Sequence, residues 1–163
     1  MASRGCLLPA LLDKIFGETY FRQPPPKSTG REQYGKAYVE KILAWGRRHR
    51  ARPEDLVRTA TVFTALSISA ALHRWVVPRT PIAQLIVSGG GARNPLLLAQ
   101  LSAALGGIEV VTSEALGLPG DAKEAFIFAI LADETVHGRP ANLPSATGAS
   151  RPAILGKICY PPR

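Results

Sequence analysis

A chain of 163 residues with 46% hydrophobic content can bury one sizeable apolar core, so a single domain or lobe is expected. Its two cysteines, Cys6 and Cys159, stand at opposite ends with none of the CxxC or Cys/His spacings that a zinc or iron–sulfur centre requires. The net charge of +8 is uneven: residues 1–52 carry 11 Lys/Arg against 4 acids, and residues 53–163 carry 9 against 8.

The cysteine usage fits a reducing compartment, and the spacing lends no support to a disulfide. The segment Met1 to Pro9 lacks the long apolar run of a signal peptide, so a cytoplasmic location is expected. No membrane span is expected either, because the longest uncharged apolar stretch, Thr59 to Leu72, is 14 residues long and contains several Ser and Thr. It reads as a buried helix.

In chain order, Leu7 to Phe16 has helical apolar spacing and is predicted to stop near Gly17. Pro24-Pro25-Pro26 then forces an extended segment. A helix follows from Arg31 to about Gly46, with Tyr34, Ala37, Tyr38, Lys41, Ile42 and Trp45 on one largely apolar face. The basic run Arg47, Arg48, His49, Arg50 and Arg52 comes next. Cations suit the negative end of a helix dipole, so a solvated helix end is the preferred reading over nucleic-acid binding, which ranks last.

Pro53-Glu54-Asp55 marks the start of a long central helix predicted to reach Val76. Gln84 to Val87 reads as a buried strand, Asn94-Pro95 through Leu105 as a helix, and Ile108 to Val111 as a second buried strand. Together they form a βαβ-type unit. A helix from about Ala122 to Val136 is apolar nearly all round, which predicts burial between layers. The remainder, rich in proline and glycine, is expected to be irregular apart from one short strand at Ala153 to Leu155.

Three segments are candidates for ligand contact. Ser88-Gly89-Gly90-Gly91-Ala92-Arg93-Asn94-Pro95 joins strand to helix, where glycines let a ligand approach the backbone and exposed N–H groups can meet an anion. The spacing is neither a Walker loop nor a Rossmann fingerprint, and a simple connecting turn with Asn94 as helix cap is the bland alternative. Leu116-Gly117-Leu118-Pro119-Gly120-Asp121-Ala122-Lys123-Glu124 puts two carboxylates and an ammonium at a helix start. They could orient sugar hydroxyls, or Asp121 and Glu124 could simply form a capping box. Lys27 to Glu32 offers hydroxyls, a glycine and the cations Lys27 and Arg31, with a capping box at Thr29 and Glu32 as its alternative. His49, His73 and His137 lie far apart and form no triad, and no metal-ligand set is expected.

Pro24-Pro25-Pro26-Lys27-Ser28-Thr29-Gly30-Arg31-Glu32, the Ser88–Pro95 turn and Leu116 through Ala125 together resemble the anhydro-N-acetylmuramic acid kinase family. His137-Gly138-Arg139-Pro140, Asn142-Leu143-Pro144 and Leu155-Gly156-Lys157-Ile158 add to the likeness, which runs from about Leu8 to the end. The resemblance implies an α/β fold of the ribonuclease-H-like, actin-like ATPase and sugar-kinase kind, helix-rich with a small sheet. It covers only the C-terminal lobe of two. As parts of that lobe, 1–52 would be a basic helical and loop segment, 53–145 the α/β core and 146–163 an irregular tail.

The implied reaction opens 1,6-anhydro-N-acetylmuramic acid with water and phosphorylates O6 with Mg-ATP, giving N-acetylmuramic acid 6-phosphate in cell-wall recycling. By the likeness Ser88, Gly89, Gly90, Gly91 and Asn94 face ATP, Glu124 and Asp121 face the anhydro-sugar, and Lys27 and Arg31 are further substrate contacts. The family's phosphate loop and water-activating aspartate belong to the other lobe, so no catalytic residue or Mg2+ ligand is expected here. Activity would need an N-terminal lobe or a second copy as partner. The alternative is a non-catalytic sugar- or nucleotide-binding or interaction module.

Overall fold

The computed structural model describes residues 1–160. After a 3-10 turn at Ala2–Arg4 come helices α1 (Pro9–Phe16), α2 (Thr19–Arg22), α3 (Arg31–Tyr34), α4 (Lys36–Arg48) and α5 (Pro53–Ala71). Strand β1 (Gln84–Val87), helix α6 (Pro95–Ala104), strand β2 (Glu109–Thr112) and helices α7 (Lys123–Val136) and α8 (Pro144–Thr147) follow. The strands pair in parallel, from Gln84 opposite Glu109 to Val87 opposite Thr112. Parallel neighbours need a crossover, and α6 supplies it, so the expected βαβ unit is present in an α/β, helix-rich chain.

Helix α5 is the central strut. One stretch of it buries Ala65 against Leu97, Leu101 and Leu105 of α6 and its end, with Leu85, Val87 and Val110 of the sheet closing that cluster. Its first turns bury Leu56 against Leu11 and Ile15 of α1, with Phe21, Tyr38 and Trp45 packed around them. Among the described residues Pro53–Val76 is long and apolar enough to cross a membrane by length and composition. In this fold it packs on α1 and α6, while Thr61 and Thr64 on its outer side donate to the carbonyls of Val57 and Ala60. Its last turn, Leu72–Val76, widens into a π-helical turn in which Val77 N–H donates to the Leu72 carbonyl at 2.9 Å.

The start of α5 is fastened to the N-terminal segment by a polar joint. Asp55, only 7% exposed, accepts the Cys6 N–H at 2.7 Å and a two-pronged contact from Arg52 at 2.8 and 3.0 Å. Thr59, fully buried, accepts from Leu8 N–H and donates to the Asp55 carbonyl. The Arg52 guanidinium, aided by the Cys6 N–H, holds the Asp55 carboxyl down to about 2.

Several expectations need correction. The helix expected from Arg31 to Gly46 is broken at Gly35, where any Cβ would lie 2.1 Å from the Arg31 carbonyl oxygen, so the chain can turn there only on a glycine. Neither expected capping box forms: Thr29 donates to Gln33 at 3.0 Å instead, and Asp121 pairs with Arg93. Residues 153–155 form no strand. Asn142 holds that segment through its side chain, accepting from Ala153 N–H at 2.6 Å and donating to the Arg151 carbonyl at 3.0 Å.

The strands and α7 are less covered than their apolar sequences predicted. Leu85 and Val87 face α6, while Ile86 on the opposite face is 52% exposed. Helix α7 has no buried residue, and Phe126 and Phe128 are 54% and 69% exposed. Among the described residues only the irregular segment 155–158 lies along it, beside Leu131 and Thr135, and no second layer of helix or sheet covers Phe126 and Phe128.

Candidate functional site

The carboxyl ends of two adjacent parallel strands point to the same side of a sheet, which is where open α/β folds collect ligand-binding loops. Here β1 runs into Ser88 and the glycine turn, and β2 runs into Ser113 and Glu114. The site is built from these two loops and the start of α7.

Gly89 leaves β1 with φ of 76°, a backbone conformation that favours glycine, and the chain then makes a 3-10 turn over Gly90–Arg93. Ala92 N–H donates to the Gly89 carbonyl at 3.0 Å and Asn94 N–H to the Gly91 carbonyl at 3.1 Å. Among the described residues nothing lies within 4 Å of where a Cβ would stand on Gly89 or Gly90, so the turn is open on that side. Asn94 caps α6 by accepting from Leu96 and Leu97 N–H at 3.1 and 3.2 Å, with Pro95 in the first helical position. The cap occupies two helix N–H groups, leaving the glycine backbone as the surface an anion could approach.

The second loop sits against the first. A Cβ on Gly120 would stand 3.1 Å from the Gly89 nitrogen and 2.7 Å from Glu114 Oε1, so glycine permits this approach. Glu114, which the sequence reading did not select, accepts the Gly120 N–H at 3.1 Å, and backbone N–H bonds hold its carboxyl below the usual carboxylate range. Its place immediately after β2 is the signal that could have found it. Arg93 reaches from the glycine turn to Asp121 and pairs with it. Glu124 follows, exposed in the first turn of α7.

Ser88, Gly89, Gly90, Gly91 and Asn94 are therefore brought together with Asp121, while Glu124 stands one turn further on. Lys27 and Arg31 are not joined to them by any hydrogen bond or ion pair among the described residues. Lys27 donates to the Tyr20 carbonyl at 2.9 Å and lies 4.6 Å from the centre of the Tyr20 ring, and Arg31 is exposed at the start of α3. Among the described residues no group of three or more His, Cys, Asp or Glu could hold a metal ion. Of the basic run, Arg52 is committed to Asp55 and His49 stacks on Trp45 at 4.0 Å, so two of the five groups serve the fold.

Residues 1–161 match the family model described as anhydro-N-acetylmuramic acid kinase. Proteins named anhydro-N-acetylmuramic acid kinase share 46% identity in Salinibacter ruber, 43% in Francisella tularensis subsp. novicida and 42% in Streptomyces coelicolor. These alignments cover 93%, 98% and 96% of this chain, but 38%, 41% and 38% of the relatives. The chain thus spans about two fifths of the length of the curated relatives it matches.

Proposed function

Because this chain belongs to the anhydro-N-acetylmuramic acid kinase family, we propose that it forms the C-terminal, ribonuclease-H-like lobe of an ATP-dependent sugar kinase, acting in the cytoplasm. The reaction is the hydrolytic opening of 1,6-anhydro-N-acetylmuramic acid with phosphorylation at O6, giving N-acetylmuramic acid 6-phosphate. Mg-ATP supplies the phosphoryl group. The observation that carries this reading is the juxtaposition of the open glycine turn with the Asp121 loop, across Gly89, Gly120 and the Arg93–Asp121 pair.

In this reading Ser88, Gly89, Gly90, Gly91 and Asn94 form one wall of the nucleotide site, with the glycine backbone lying close to the ligand. Asp121 and Glu124 accept hydrogen bonds from sugar hydroxyls, and Glu114 holds the loop between the two ligands in place. Phosphoryl transfer depends on positioning and charge neutralisation from all sides of the reacting group, and these residues offer one side. The other comes from an N-terminal lobe, so the chain alone is inactive.

The test is titration of the chain with Mg-ATP and with 1,6-anhydro-N-acetylmuramic acid, with and without the N-terminal lobe of a full-length relative, while sugar 6-phosphate is assayed. Turnover only in the complemented sample is expected, with Glu124→Gln abolishing it. Ligand binding without turnover in every combination would replace this reading by that of a binding module.

A further inference from the structure

A groove of about 360 Å³ lies at the other end of α5 from the Asp55 joint, between the last turns of that helix and the α2–Lys27 segment. Arg22, Lys27 and Arg74 line it together with Tyr20, Trp75 and Ala71, and among the described residues no carboxylate does. Two of the three cationic groups are held in place. Lys27 is fixed by the Tyr20 carbonyl and the Tyr20 ring, and the Arg74 guanidinium lies 4.9 Å from the centre of the Trp75 ring.

This groove is separate from the glycine turn. Ser69, between the lining residues Ile68 and Ala70 of α5, donates to the Ala104 carbonyl at the far end of α6, whereas the glycine turn precedes the first residue of α6. The ten residues of α6 put about 15 Å between these ends.

We propose that this groove is a second binding site, for a small organic anion that carries a ring. Three cations without a compensating carboxylate select negative charge. The volume exceeds what a bare inorganic anion fills and falls within the range of small-ligand sites. The aromatic faces and the small Ala71 accept a flat or apolar body beside the charge. Lys27 thereby acquires a ligand role independent of the nucleotide turn.

Phenyl phosphate and inorganic phosphate are the probes, titrated calorimetrically into the full chain, with the backbone amide resonances and the indole N–H resonances of Trp75 and Trp45 followed by NMR. Phenyl phosphate is expected to bind more tightly than inorganic phosphate and to move the Trp75 signal but not that of Trp45. Arg74→Gln and Lys27→Gln should each weaken it about tenfold, the worth of one hydrogen bond to a charged group. Ala71→Leu, which keeps every charge and fills the groove, should abolish binding with the thermal midpoint little changed. No saturable binding, unchanged affinity in all three variants, or shifts confined to Ser88–Asn94 would overturn the proposal. None of these outcomes depends on Mg-ATP binding or sugar phosphorylation, so the kinase reading stands or falls separately.

Discussion

Arg93, at the end of the glycine turn, pairs with Asp121, 28 residues later, and this contact joins the loop leaving β1 to the loop leading into α7. Both side chains are largely exposed, at 67% and 75%, so the pair does little for overall stability. Its effect is to tie together two segments of the proposed site. Arg93→Gln should leave the thermal midpoint nearly unchanged and weaken Mg-ATP binding by the complemented two-lobe enzyme several-fold. Calorimetry and differential scanning of the same samples check both halves of the statement.

Asn94 caps α6 with two accepted hydrogen bonds, and its replacement by alanine leaves both N–H groups without that partner. Asn94→Ala should destabilise the chain by about 1 kcal/mol in urea unfolding. Asn94→Asp should restore most of the loss, since an aspartate accepts the same bonds and favours the positive end of the helix.

Asp55 makes stability dependent on acid. Its carboxyl is held at about 2, below the ordinary value of 3.8, so its contribution is fully present above the unfolded value and is lost as the pH falls from about 4 through 2. Urea midpoints measured across that window should drop steeply for the wild type. Asp55→Asn should lower stability at neutral pH and flatten the acid limb.

Leu101 is 1% exposed at the centre of the contact between α5 and α6. Truncation to alanine should cost about 2–5 kcal/mol, because the helices on both sides limit collapse of the cavity. A smaller loss in urea unfolding would mean that this contact is looser than the packing implies.

Helix α7 exposes Phe126, Ile127, Phe128 and Ile130 at once, more apolar surface than an uncovered helix tolerates without association. The isolated chain should therefore self-associate with concentration in sedimentation velocity. Phe128→Glu should shift it toward the monomer with the thermal midpoint preserved, since that ring is 69% exposed and contributes little to the core.

Local signals in the sequence determined a good deal. Pro53 with Glu54 and Asp55 marked the start of α5, Asn94 with Pro95 marked the start of α6, and the short apolar runs at Gln84 and Ile108 gave the two strands, because helix caps and turn residues act within a few positions of themselves. The family was also legible there, in the motifs around Lys27, Gly90 and Asp121. What only the tertiary structure decided was everything that depends on residues distant in sequence. Asp121, read as a sugar contact with a helix cap as the alternative, pairs with Arg93, 28 residues earlier, and Gly120, held by Glu114, comes to stand against Gly89. The apolar character of α7 was read correctly as composition, yet whether a face is covered depends on what packs over it, and no pattern within fourteen residues encodes that neighbour.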